Sequence, residues 1–138
     1  MTNSRIIYSN TDGSVAVIIP AESVELALKD VPAGLAYEIV TTDDIPSDRF
    51  FRGAWVANGS AIEVDLDAAK AIGHDMRRTK RAEEFAPHDE VIAKQIPGKD
   101  ASQAETKRQE IRDKYSEVQD AIDAAESPEE IKAALEGV

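Results

Sequence analysis

Residues 61–72 read Ala61-Ile62-Glu63-Val64-Asp65-Leu66-Asp67-Ala68-Ala69-Lys70-Ala71-Ile72, and the folding pattern changes within them. Ala61 to Val64 suits a short strand. From Asp65 onward, Leu66, Ala69, Ile72, Met76 and Thr79 recur at steps of 3, 3, 4 and 3. That spacing places them on one face of a helix. Asp65 is a good N-cap, and Asp67 sits favourably in the positive first turn. A strand that gives way to a long helix at one residue predicts an α+β chain: a small α/β head over residues 1–64, then a helical part over 65–138.

Working back from Ala61, Asn58-Gly59 is a turn signal. Before it, Phe50, Phe51 and Trp55 form the densest aromatic cluster in the chain. These rings read either as the main core of the head or, for Phe51 and Trp55, as anchors for a partner. Thr41 to Asp48 reads as a polar loop, and Tyr37 to Val40 as a strand. Val31-Pro32-Ala33-Gly34 breaks a short helix that Ser23 caps and that runs through Leu28. Pro20 stops a strand at Val15 to Ile19. Arg5 to Tyr8 is the first strand, and Asp12-Gly13 between these two marks a tight hairpin. The head is therefore a small antiparallel sheet with a short helix.

Working forward, Gly73 weakens the long helix without ending it. Pro87 is expected to kink or restart it, with Ile92 and Ile96 continuing the apolar face. Pro97-Gly98 then turns the chain, and Asp100 or Ser102 caps a second long helix. Ala104, Ile111, Tyr115, Val118, Ile122 and Ala125 follow at steps of 7, 4, 3, 4 and 3, a heptad seam with Arg108 at the missing position. Two helices joined by a short turn predict an antiparallel hairpin. Ser127-Pro128-Glu129-Glu130 then starts a short terminal helix, with Ser127 as N-cap, Pro128 at the first helical position and Glu130 completing a capping box. Ile131, Ala134 and Leu135 would fold it back onto the hairpin.

Composition narrows the function classes. The 138 residues carry a formal net charge of -11. That charge repels nucleic acid and anionic membrane surfaces and favours a cationic or neutral partner. No cysteine is present, which removes disulfides, thiolate nucleophiles and Cys-ligated metals together. The polar stretch Met1 to Arg5 does not read as a signal peptide, and no apolar run approaches a bilayer span of about 20 residues. Aromatics are only 5% of residues and alanine supplies much of the apolar share, so the core is expected to be thin enough for a partner surface to complete it.

Nothing in the sequence forms a catalytic, cofactor or metal signature. His74 and His88 each precede an aspartate but lack the His-Glu-x-x-His spacing of a zinc site. Asp43, Asp44 and Asp48 lack the Gly-centred calcium loop and read as turn formers. Gly-x-Ser-x-Gly, phosphate-cradling and dinucleotide motifs are absent from the sequence. The expectation is a non-enzymatic chain without cofactor or metal. Arg77, Arg78, Lys80 and Arg81 form its one basic cluster. That cluster reads either as a solvated face paired with acids such as Glu105 or Glu117 on the neighbouring helix, or as a docking patch for an acidic protein surface. No aromatic residue is interleaved among these charges, which argues against nucleic acid.

Pro46-Ser47-Asp48-Arg49-Phe50-Phe51-Arg52-Gly53-Ala54-Trp55, followed by Ile62-Glu63-Val64-Asp65 and a Lys/Arg-rich helix, resembles small proteins encoded among the tail genes of tailed bacteriophages. Arg5-Ile6-Ile7-Tyr8 with Asp12-Gly13, and Ser127-Pro128-Glu129-Glu130-Ile131-Lys132, extend the resemblance along the chain. It implies a tail-associated structural or adaptor protein of the virion, made in the host cytoplasm, that binds other tail or fibre proteins or copies of itself. The alternative it implies is a tail or tail-fibre assembly chaperone absent from the mature virion. Phe51, Trp55, Arg77, Arg78, Lys80 and Arg81 are the expected partner-binding residues, and no active-site residues come with the resemblance.

Overall fold

A computed structural model describes residues 3–95 and 97–138. Ile96, expected on the apolar face of the first long helix, lies outside the described residues. The architecture is α+β, in two compact units, Met1–Ala69 and Lys70–Val138.

In the first unit β1 (Ser4–Ser9) and β2 (Val15–Ile18) pair antiparallel. The Asp12 carboxylate organises their turn by accepting from the Ser14 amide at 2.9 Å and the Ser14 hydroxyl at 2.6 Å. Those two bonds hold the Asp12 carboxyl below its usual range. Gly13 takes the left-handed φ of 88° that the turn requires. β3 (Glu38–Thr41) pairs antiparallel with the other edge of β1, giving the order β2-β1-β3. The register aligns Ile18, Ile6 and Ile39 in one cross-strand row. α1 (Val24–Ala27), capped by the Ser23 hydroxyl on the Leu26 amide, packs on β1, where Ala27 and Ile6 are buried.

The other face of the sheet carries the core. β4 (Trp55–Asn58) and β5 (Ala61–Val64) form a hairpin. Trp55 and Ile62 close with Ile7, Val15 and Val40 into one cluster, flanked by Val17, Ile45 and Val64. β5 lies where the sequence predicts it. β4 is a strand the aromatic cluster conceals: Trp55-Val56-Ala57-Asn58 is short and emerges directly from a 3-10 turn at Arg52–Ala54.

The second unit is helical. α2 runs from Leu66 to Lys94, and its start is capped by the Asp65 carboxylate on the Ala68 amide at 3.0 Å. Pro87 does not restart the helix; it sits inside α2. Proline costs the helix one hydrogen bond, to the carbonyl of Glu83. Ties to the next helix hold both lengths: Lys114 to Glu84 before the proline and Arg108 to Asp89 after it. Gln95, with φ of 48°, closes α2 in the left-handed region.

α3 spans Ala101–Ala124, and of the two candidate caps it is Asp100 that accepts from the Ser102 amide, at 2.8 Å. All six expected seam residues, Ala104, Ile111, Tyr115, Val118, Ile122 and Ala125, are buried. α4 (Pro128–Glu136) is capped by Ser127 and buries Ile131 and Leu135. Glu130 reaches back to the Glu126 amide, one residue before the cap.

The face of α2 that turns inward differs from expectation. Thr79 is exposed, and Ile72 and Met76 are only half-buried. The buried stripe is Ala69, Gly73 and Arg77, continued by half-buried Lys80, Glu84 and His88. Gly73 lets α2 lie close against Ile131 of α4. A β-carbon built there would stand 2.7 Å from Ile131 Cγ2 and 3.6 Å from Ile122 Cγ2.

Candidate interaction surface

Phe51 and Trp55 are buried inside the first unit, 4% and 3% exposed. Phe50 meets Phe51 edge to face at 4.8 Å between ring centres. The Arg52 guanidinium lies 4.5 Å from the Trp55 ring centre, and Arg49 lies 5.6 Å from it. Arg52 also donates to the Val15 carbonyl at 2.8 Å. This cation–π arrangement pins the 49–55 segment to the sheet. The indole N–H of Trp55 has no hydrogen-bond partner among the described residues, so the ring acts through packing and its π face. Both rings therefore serve the core of the head.

The basic cluster is spent largely inside the second unit. Arg77 is 5% exposed and donates from Nε to His74 Nδ1 at 3.3 Å. Burial lowers its guanidinium pKa, and Arg78 and Arg81 lower it further. Arg78 is exposed and pairs with Asp75 on its own helix. Lys80 donates to the Val138 carbonyl, while Lys70 donates to the Asp123 carbonyl in the last turn of α3. Cations at these carbonyl-rich helix ends are favourable. Arg81 joins Arg108 and Arg112 around the Phe85 ring, all within 6.0 Å of its centre. The cluster does not pair with Glu105, which instead takes Arg108 and Arg112 of its own helix. Those two guanidinium groups hold the Glu105 carboxyl below its usual range.

A groove of about 390 Å³ between α2 and α3 is lined by Glu84, His88, Lys107, Glu110, Ile111 and Lys114. Its charges are neutralised in pairs. Lys114 bonds Glu84 at 2.6 Å, and Lys107 bonds Glu110 at 3.2 Å. Lys114 and then the Tyr115 hydroxyl hold Glu84 below its usual range. Burial, then the Glu84 carboxylate, pushes Tyr115 up. This arrangement holds the hairpin together and presents no excess charge to a ligand. Among the described residues no cluster of three or more His, Asp or Glu side chains could hold a metal ion, and no helix is long and apolar enough to cross a membrane.

The exposed large apolar side chains lie elsewhere. Ile19, Leu26, Tyr37 and Ile39 are 67%, 54%, 45% and 50% exposed, and all four belong to the first unit. Ile19 and Leu26 line a groove of about 460 Å³ with Ala21, Ser23 and Ala27. Tyr37 and Ile39 sit at the edge of the sheet, because β3 pairs only with β1. Residues 1–69 hold eleven carboxylates against four cationic side chains, so these apolar groups stand on an acidic surface. Comparison with protein-family models, curated proteins and solved structures gives no match to this chain.

Proposed function

We propose that this chain is a non-enzymatic adaptor that binds other proteins through its N-terminal unit, as a structural component of a bacteriophage tail. The observation that carries the interaction reading is the placement of Ile19, Leu26, Tyr37 and Ile39, half or more exposed or nearly so, on one unit. A small unit that leaves such side chains in water gains most when a partner covers them. The tail setting is supported by the resemblance of the Pro46–Trp55 and Ser127–Lys132 segments to tail-gene proteins. In that setting the partners are other tail or fibre proteins, and the surplus of acid on the docking unit selects cationic surfaces.

The test is mass spectrometry of purified virions of the phage that encodes the chain, with copy number referred to the major tail proteins. A stoichiometric signal is expected. Presence in infected-cell lysate with absence from mature particles would replace the structural role by that of an assembly chaperone. Gene neighbours without tail or fibre genes would remove the tail setting altogether.

A further inference from the structure

We propose that the open edge of β3, from Tyr37 to Ile39, is a strand-addition site for an extended segment of another protein in which apolar and basic residues alternate. This rests on the interaction reading above and specifies its mode.

The hydrogen-bond phase of the sheet decides which groups face outward. The Thr42 amide donates to the Asn3 carbonyl at 3.0 Å, in register with the β1–β3 ladder. Bonded and non-bonded pairs alternate along an antiparallel ladder. Val40 and Glu38 therefore bond to β1, and the N–H and C=O of Ile39 and Tyr37 point away from it. The opposite edge has the complementary phase. The Asn10 amide donates to the Ser14 carbonyl at 2.8 Å, which turns Val15 and Val17 outward on β2.

The two edges are finished differently. On β2 the outward carbonyl of Val15 is taken by Arg52, the same guanidinium that stacks on Trp55. On β3 the Thr41 amide is taken by the Asp44 carboxylate at 3.0 Å, which ends the edge there. Between Tyr37 and Ile39 the edge is open, and its exposed side chains are Tyr37, Glu38 and Ile39. Sheet edges left to solvent are normally guarded by short strands, charged side chains, proline or a bulge, and here Glu38 is the one charge on a strand of four residues. An edge that keeps a half-exposed isoleucine beside that single acid has the form of a template for an apolar and basic strand.

The same register describes the occupant. Ile18, Ile6 and Ile39 form a row that an apolar residue opposite Ile39 would extend, and a second apolar residue would face Tyr37. On the other face the intervening residue would stand beside exposed Glu38. A basic residue belongs there. A second copy of the chain is disfavoured: each first unit carries a surplus of seven negative charges, and self-pairing would bring Glu38 and the acidic turns of two copies together.

The test uses the full chain, biotinylated, to select from a displayed library of random short peptides. Selected peptides are measured by fluorescence anisotropy and mapped by amide chemical shifts. The expected result is peptides alternating apolar and basic residues, with shifts centred on residues 37–41. Ile39→Lys should weaken them by about tenfold or more, since it sets a charge against the apolar row, while Leu26→Lys leaves them unchanged. Both substitutions are at exposed positions, and Trp55 emission checks that each variant is folded. Peptides that map to the Ile19–Leu26 groove would overturn the edge site and leave the interaction reading standing. Failure to recover any peptide would sink both. Concentration-dependent dimerisation that Ile39→Lys abolishes would overturn the foreign partner in favour of a second copy.

Discussion

Gly73→Ala tests the packing of the helical unit most directly. In an exposed helix this change stabilises by about 1 kcal/mol, because alanine has the higher helix propensity. Here the new methyl would meet Ile131 Cγ2 at 2.7 Å, well inside ordinary van der Waals contact. Ile131 and Ile122 are both fully buried, and the offending carbon is a β-branch with no rotamer to retreat into. α4 must move away from α2 by several tenths of an ångström. Overpacking of this kind costs about 1–3 kcal/mol. Setting the propensity gain against the middle of that range leaves a net loss of about 1 kcal/mol, or roughly 4–8 °C in the melting of a unit this size. The assay is thermal and urea unfolding followed by far-UV circular dichroism, which the helices dominate. Emission from Trp55, the one tryptophan, reports the other unit separately. The decisive variant is the double mutant. Ile131→Ala alone should cost about 2–5 kcal/mol, but in that background Gly73→Ala should become stabilising, a reversal of sign that a double-mutant cycle reads as coupling. A rise in stability on Gly73→Ala in the otherwise unchanged chain would refute the close seating of α4 on α2.

Trp55→Ala should lower the stability of the first unit by about 3–5 kcal/mol, the range for emptying a buried aromatic position, measured by amide exchange since the emission probe is lost with it. Ser127→Ala should cost about 1 kcal/mol by uncapping α4, seen as a lower urea midpoint with unchanged slope. Glu84 predicts an acid limb: its folded pKa lies below the usual 4.5, so its contribution is present above that pH and is lost as pH falls through the folded value. Glu84→Gln should flatten the pH dependence of helical stability below pH 4.5 at a cost of about 0.2–1 kcal/mol near neutrality, the range for a partly exposed pair; an unchanged acid limb would count against the Lys114–Glu84 tie.

The parts of the fold that follow from apolar spacing are the parts legible in the sequence. The α3 seam is buried residue for residue, since a heptad of Ile, Tyr and Val admits one inward face. Asp12-Gly13, Ser23, Asp65 and Ser127 act where local chemistry puts them, because turns and caps depend on their own few residues. α2 was not legible in the same way. Its inward stripe pairs glycine with Arg77, Lys80 and Glu84, whose polar ends bond to His74, Val138 and Lys114. Hydrophobic periodicity is blind to such a stripe, and it selected Thr79 instead. The exposed surface was hidden for the opposite reason. Ile39 reads as core in any strand, and only the pairing order shows that it stands at an edge. The Phe51–Trp55 cluster was conspicuous by composition, and the fold uses it to close the core of the head.

Pro87 carries a consequence for motion. It leaves α2 with no amide at that position and leaves Glu83 without its helical donor. The tie between Lys114 and Glu84 stands just before it. Beyond it, among the described residues, the segment is held by the Arg108–Asp89 pair and by Val91 and Ile92, its only half-buried apolar side chains. The last two turns of α2, tied to α3 by that one partly exposed pair, are therefore expected to open separately in the sense of hydrogen exchange. Their amides should exchange through local fraying that starts near Gln95 and stops at the proline, while amides between Gly73 and Glu84 wait for the whole helical unit to open.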